Sequence, residues 1–292
     1  MDEQNRLTSV FIDPSIRRKT VTAILSHLDT RSAKHALTKT ECLQLWRGFH
    51  VAVYMHDSKN ALSVQNLLRE IAGTFATVAR KDDELAAASD HDSEHQLGQW
   101  LEPYHTAFHE TIIREWASID SHRMNKYLLL VRFVMQQLFR ICFKPQQNVN
   151  QGQIKTSKKT VSRKRASTVD AEVSKSRKAT SILTTLRTVG PLNPKDPKIP
   201  NGLRLHILDI WVDELFGSLS ALEAESEAVV DDDDGGRSTE STIALFREPL
   251  VAIAESHSGA QKNIRERAKE AIADFDEKIA TLSNSAANDS SE

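Results

Sequence analysis

Two His-Asp dipeptides, His56-Asp57 and His91-Asp92, are the residues of this chain whose types and order come nearest to a catalytic centre. Such a dipeptide, joined by a separate histidine and aspartate, can hold a divalent ion that activates water; His27 and Asp120 are available for those roles. The competing reading is coincidence, since 11 histidines among 40 acidic residues make adjacent pairs expected. His105 and His109 would share a helix face and could form a two-nitrogen metal pair. Their plainer reading is a pair of partly exposed histidines beside Phe108. The run Asp231 to Asp234 lacks the spacing of a calcium loop and reads as a solvated acidic loop. No P-loop, GxGxxG, HExxH or GxSxG motif is present. On its motifs the chain is therefore expected to bind macromolecules, to catalyse nothing, and to need no metal or cofactor.

The elements that would position these residues read as helices throughout. Asp13-Pro14 has the form of an N-cap followed by proline in the first helical position, opening a helix through Leu28. From Thr40, Cys42, Trp46, Phe49 and Val53 recur at helical spacing, and Val64, Leu67, Leu68, Ile71, Phe75 and Val78 form the stripe of a third helix. Lys81 to Glu94 is polar and reads as a loop. Leu97, Leu101, Tyr104, Phe108 and Ile112 predict a fourth helix to about Trp116, with Pro103 marking its true start or a kink. Met124, Leu128, Val131, Met135, Leu138 and Cys142 predict a fifth that ends before Lys144-Pro145. Helix resumes over Ser181 to Val189, and Gly190 to Pro197 is turn-rich. Asn201 caps a helix with Leu205, Leu208, Trp211, Val212 and Leu215 on its face. A short helix around Ile243 to Phe246 breaks at Pro249, another runs to about Glu255, and the last spans about Ala260 to Leu282.

The expected fold is all-α: an irregular solenoid of HEAT- or armadillo-like helical pairs, because each amphipathic pair leaves a face for the next. Residues 1–145 form an N-terminal helical part, 146–180 a disordered basic insert, 181–282 a C-terminal helical part packed on the first, and 283–292 a disordered tail. Trp46, Trp100, Trp116 and Trp211 all fall on helical patterns and are expected in the core. Cys42 and Cys142 lie inside apolar patterns without CxxC neighbours and read as buried thiols of a reducing compartment. No run of about 20 apolar residues suits a membrane span, and the N-terminus lacks the order of a secretory signal. An intracellular location without membrane contact is expected.

Charge is unevenly placed. Between Gln146 and Thr180 nine Lys or Arg face only Asp170 and Glu172, a net +7 in a chain of −2, leaving −9 for the remainder. With almost no large apolar residues this segment cannot bury enough surface to offset chain ordering. Lys158-Lys159 and Arg163-Lys164-Arg165 form a split cluster suited to a nuclear import receptor. The same charges could neutralise RNA phosphates without reading bases, and a solvated linker without a specific partner is the remaining reading. Ser167, after Arg163-Lys164-Arg165-Ala166, has the setting of a basophilic-kinase site, where phosphate would cut the local charge. Aromatic residues do not interleave with the run, which argues against base stacking there.

Three segments carry a family resemblance. The first is Leu45-Trp46-Arg47-Gly48 with Met55, Asp57 and Lys59. The second is Arg114-Glu115-Trp116, then Ile119-Asp120, Arg123, Lys126-Tyr127 and Arg132. The third is Pro200-Asn201-Gly202-Leu203 leading to His206, Asp209-Ile210 and Asp213-Glu214-Leu215, with Phe246 and Pro249 at the next helix start. In order and separation they resemble the eukaryotic nucleolar family named ribosomal RNA processing protein one, over most of Val21 to Ser256. The resemblance implies a helical, non-catalytic nucleolar protein of early large-subunit (60S) precursors. It would act in processing the precursor of the large-subunit ribosomal RNAs, beside other assembly factors and ribosomal proteins. The basic insert after Phe143 is longer than the family pattern, and the Lys-rich extension of some relatives is missing.

Arg114, Glu115, Asp120, Arg123 and Lys126 could pair across adjacent helices. Equally, Arg47, Asp57, Lys59, Arg114, Asp120, Arg123, Lys126 and Arg132 could contact a protein partner or pre-ribosomal RNA. Two alternative functions stay open at this point. One is a metal-dependent helical phosphohydrolase of HD type using His56-Asp57. The other is a nuclear peptide-binding adaptor unrelated to ribosomes.

Overall fold

The structure is a computed structural model that describes residues 13–57, 59–88, 98–143, 176–226, 241–256 and 260–289. Helix α1 spans Pro14–Thr30, and its start follows the sequence: Asp13 Oδ1 accepts the N–H groups of Ser15 and Ile16 at 2.7 and 3.4 Å. Helix α2, Lys39–Met55, opens on a capping box in which Thr38 Oγ1 accepts the Glu41 N–H and Glu41 reaches back to the Thr38 N–H. Helices α3 (Ala61–Ala88), α4 (Leu101–Glu115) and α5 (Ser121–Phe143) follow, with a 3-10 turn at Trp116–Ser118 between the last two. Helix α6 covers 176–188 and α7 covers Asn201–Ser226. After a helical turn at 241–244 come α8, Glu248–Ala254, and α9, Lys262–Asp289. Among the described residues there is no strand, and no helix is long and apolar enough to cross a membrane.

Packing alternates along most of the chain, with each helix on the one two places away, until α8 packs on its immediate neighbour α9. α3 lies on α5, α5 on α7 and α7 on α9, making one row, while α2 packs on α4 in a second. An ion pair of 2.6 Å between Lys178 and Asp83 ties α6 to α3, and one of 2.8 Å between Arg187 and Glu248 ties α6 to α8. This is the solenoid-like all-α arrangement that the periodicity predicts. α7 is buried around most of its circumference, because α5 covers one side and α9 the other.

All four tryptophans are in the core, and three act as staples. Trp46 Nε1 donates to the Tyr104 carbonyl at 3.1 Å, Trp100 Nε1 to Ala33 at 2.8 Å, and Trp211 Nε1 to Phe246 at 3.1 Å. Around Trp46 the rings of Phe49, Phe75, Tyr104 and Phe108 lie 4.8 to 5.6 Å away, each in tilted or edge-on geometry. Burying each such side chain contributes about 1.5–3 kcal/mol, and the polar tip of each indole has its acceptor. Cys42 and Cys142 are free thiols in this core, and burial pushes Cys42 up to about 12.

Four boundaries differ from the sequence reading. Lys81 to Ala88 continues α3 and is not a loop, with Lys81 and Asp82 both buried. Asp82 is turned toward the start of α4, Asp83 toward Lys178 of α6, and Lys81 pairs with Glu84. Helix α6 begins by residue 176, so 176–180 are ordered and do not belong to a disordered insert. Helix α9 runs on to Asp289, seven residues past the expected end at Leu282. Pro103 is the third residue of α4, a position whose N–H needs no intrahelical acceptor, so the helix opens around it without a kink.

Candidate interaction surface

Asp120, Arg123 and Lys126, three of the charged residues singled out by sequence, meet at the carboxyl end of α2. A helix ends on carbonyl groups without intrahelical partners and on the negative pole of its dipole. Here no glycine closes α2, and cations from two other helices supply the donors. Lys126 of α5 places Nζ 2.7 Å from the Val53 carbonyl oxygen, 3.2 Å from that of Tyr54 and 2.8 Å from that of His56. Arg17 of α1 donates to the Met55 carbonyl. Arg123 donates Nε to the Tyr54 carbonyl at 3.0 Å and lays its guanidinium 4.4 Å from the centre of the Tyr54 ring. Asp120 pairs with Arg123, accepts the Tyr54 hydroxyl at 3.3 Å, and receives the Arg123 N–H at 3.0 Å as the N-cap of α5.

The electrostatics follow from this crowding. Burial, and secondarily the neighbouring Arg123 charge, lower Lys126 to about 8, so it remains an ammonium at pH 7. The hydrogen bond to Asp120 raises Arg123. Arg17 is lowered by burial.

The eight residues expected to face a partner therefore divide. Lys126 is 5% exposed and withdrawn from the surface, which corrects its reading as a contact residue: three carbonyl oxygens hold it inside. Asp120 and Arg123 hold each other and Tyr54. Arg132 Nε lies 2.9 Å from Glu214 Oε1, whose other oxygen accepts Gln136 Nε2 at 2.6 Å, joining α5 to α7. Asp57 closes the turn after α2 by accepting the Lys59 N–H at 3.0 Å. Among the described residues Arg114 is paired with its chain neighbour Glu115, at 2.9 Å, and stays exposed. The side chains of Arg47 and Lys59 are exposed and have no ion pair among the described residues. Lys158, Lys159, Arg163, Lys164, Arg165, Ser167, the pair His91-Asp92 and the run Asp231 to Asp234 lie outside the described residues.

The residues nominated for metal chemistry are engaged separately. His56 Nδ1 is 2.9 Å from the Asp57 carbonyl oxygen and Nε2 is 3.3 Å from Ser63 Oγ. His27 Nε2 lies 3.4 Å from Arg31 Nη1, and Asp120 serves Arg123. Among the described residues no group of three or more His, Cys, Asp or Glu side chains could hold a metal ion. His105 and His109 are not partly exposed: both are 1% exposed, with Nε2 atoms 2.8 Å apart. Burial depresses both, His109 to about 3 and His105 well below its ordinary value with His109 as a second cause, so the pair is neutral and one proton lies between the two Nε2 atoms. Phe75 stands edge-on to His105, which explains why an apolar stripe continues through two histidines.

Three structural residues escaped the sequence reading. Asp82 of α3 accepts the N–H groups of Trp100 and Leu101 at 2.9 and 3.0 Å, capping α4 from a different helix. Burial raises its pKa to about 6 against these two donors. Arg204, 2% exposed, donates Nη2 to the carbonyls of Asn193 and Asp196, both at 2.6 Å, and so clamps the turn before α7. Arg17 does the same for α2. A usable signal existed: Arg17, Lys126 and Arg204 each occupy the inward position of a helical stripe, beside Val21, Leu130 and Leu208 respectively.

Fold and site define an all-helical, solenoid-like protein whose densest polar constellation fastens helix ends to one another. The chain belongs to the nucleolar protein Nop52 family, whose model matches residues 6–292. It is similar to ribosomal RNA processing protein 1 homolog B of Homo sapiens, 22% identical over 205 residues, and to homolog A of Mus musculus, 25% identical over 201 residues. These matches cover 70% and 68% of this chain but 21% and 31% of the relatives, so the chain spans less than a third of their length. The family resemblance carried by the three sequence segments thus stands as membership.

Proposed function

We propose that this protein is a non-catalytic nucleolar assembly factor of the large ribosomal subunit, a helical scaffold needed in processing the precursor of the large-subunit ribosomal RNAs. The observation that carries the reading is the match to a nucleolar family over residues 6–292, with relatives named for ribosomal RNA processing. The cross-helix staples support a scaffold role, because they hold successive helices in fixed register and so present a fixed outer surface. Its partners on this reading are other large-subunit assembly factors, ribosomal proteins and pre-ribosomal RNA. Arg47, Lys59 and Arg114, with the exposed edges of Arg123 and Arg132, are the cations that would meet them. The Lys158 to Arg165 cluster engages an import receptor, and phosphate on Ser167 weakens that contact by cutting its charge.

Depletion of the protein, followed by measurement of ribosomal RNA precursors, tests the reading. Large-subunit precursors accumulate and the protein co-sediments with large-subunit particles if it holds. Normal large-subunit RNA processing after depletion sinks it.

A further inference from the structure

Large apolar side chains exposed at a surface are concentrated at one end of the molecule. Among the described residues Ile16, Met55, Leu62 and Leu282 are the exposed ones, and the first three are 40%, 36% and 64% exposed. Ile16 is in the first turn of α1, Met55 ends α2, and Leu62 is in the first turn of α3. These three segments are bonded together. Arg17 holds the Met55 carbonyl, and His56 reaches Ser63 Oγ at 3.3 Å. Clustered exposed aliphatics rimmed by polar residues mark a binding surface, whereas single ones do not.

The rim has a definite sign. Two of the four carboxylates there are paired with cations and the other two accept backbone N–H groups. Asp13 accepts Ser15 and Ile16 N–H, Asp57 accepts Lys59 N–H, Glu70 holds Arg18 with both oxygens, and Asp120 holds Arg123. Lys19 and Lys59, in contrast, are exposed and have no ion pair among the described residues. Arg17, Arg18, Lys19, Lys59, Arg123 and Lys126 outnumber Asp13, Asp57, Glu70 and Asp120, so this end offers aliphatic surface with a net positive rim. A nucleic-acid backbone fits that mixture poorly, since its interfaces are far more cationic and less aliphatic.

We propose that this end, centred on Ile16, Met55 and Leu62 with Lys19 and Lys59 at its rim, docks a protein segment that carries aliphatic side chains flanked by carboxylates. The proposal rests on the binding role given above and names the chemistry of one partner. It requires complementary charge at the rim and apolar contact at the centre, which is the usual anatomy of an interface patch.

A photo-crosslinking benzophenone amino acid placed at Leu62 of the full chain, expressed in the cells it comes from, tests this directly, with the same amino acid at exposed Glu277 of α9 as the control position. The expected product is a peptide of another protein in which aliphatic and acidic residues alternate. With the crosslinker moved to Met55, the pair Lys19→Glu and Lys59→Glu lowers its yield about tenfold, as loss of an interface anchor would. Both lysines are exposed, and a circular-dichroism melt confirms that the variant is folded. Crosslinks to residues 1–12 of the chain itself, to a second isotope-labelled copy, to RNA, or no more than at Glu277, overturn the proposal. Co-sedimentation in the same cells separates the two readings. If the protein travels with large-subunit precursors but the crosslink is absent, only the docking surface fails; if it never does, the assembly role fails.

Discussion

The Asp82 carboxylate accepts the backbone N–H of Trp100 at 2.9 Å, so the first turn of α4 is capped from the preceding helix and not by a residue of its own. Its second oxygen takes the Leu101 N–H at 3.0 Å. Two donors that would otherwise be buried without acceptors depend on one side chain. Asp82→Ala is expected to lower stability by about 1–3 kcal/mol, and Asp82→Asn by less because one acceptor remains. Urea unfolding followed by circular dichroism reads both; an unchanged midpoint for Asp82→Ala would show that α4 is held otherwise.

Lys126 and Arg132 lie on the same helix and in the same family-specific segment, yet they should respond differently to removal. Lys126→Met takes a buried donor from the His56 carbonyl and the shorter of two bonds from Val53, while Tyr54 keeps Arg123, at an expected cost of about 1–3 kcal/mol. Arg132→Met removes a half-exposed ion pair from Glu214, which keeps Gln136, and should cost under about 1 kcal/mol. Equal losses in the two variants would contradict the assignment of Lys126 to the interior.

The His105–His109 pair makes stability depend on acid. Both folded-state values lie below the ordinary histidine value of 6.5, His109 at about 3, so the unfolded chain takes up protons first as pH falls. The His109 contribution is intact above pH 6.5 and is lost progressively toward pH 3, at roughly 1.4 kcal/mol per pH unit, and His105 acts in the same direction. Asp82, raised to about 6, acts in the opposite sense between its unfolded and folded values, gaining stability as pH falls. The comparison is therefore made between the wild type and His105→Gln/His109→Gln, in which only the histidines change. Unfolding midpoints at pH 7.5 and 5.0 should diverge between the two proteins; parallel lines would refute the buried pair.

Gly190 tolerates no side chain. A Cβ there would stand 2.8 Å from Leu186 Cα and 3.2 Å from His109 Cδ2, pressing the end of α6 into α4. Gly190→Ala is expected to destabilise by about 1–3 kcal/mol through overpacking. Gly48→Ala, whose added carbon meets nothing within 4 Å, serves as the matched control. A thermal melt in which both variants behave alike would count against the close approach.

The proposed import role of the basic cluster gives a prediction in cells. Replacing Arg163, Lys164 and Arg165 with alanine removes three of the nine cations in the basic segment and should shift a fluorescent fusion from nucleus to cytoplasm. Ser167→Glu, which adds one negative charge beside the cluster, should give a partial shift in the same direction. Unchanged nuclear accumulation in the triple variant would assign the address to another segment.

Helix content, the order of helices and most of the core were legible in the chain alone, because each depends on local spacing. Cys42, Trp46, Phe49 and Val53 repeat at helical period whatever they pack against, and Asp13-Pro14 closes its own hydrogen bonds within three residues. Membership of the nucleolar family was legible for a related reason: Arg114 to Arg132 fixes charged and aromatic types at positions where a generic helix needs none. What tertiary structure decided is the use of polar residues. Asp82 looks solvated in sequence and is buried, because the N–H groups it serves lie 18 and 19 residues later, at the start of another helix. Lys126 looks like a surface cation and is a helix cap, because its acceptors lie 70 or more residues upstream. A hydrogen bond depends on distance in space, and sequence records distance along the chain; the two agree inside a helix and part company wherever one helix finishes another.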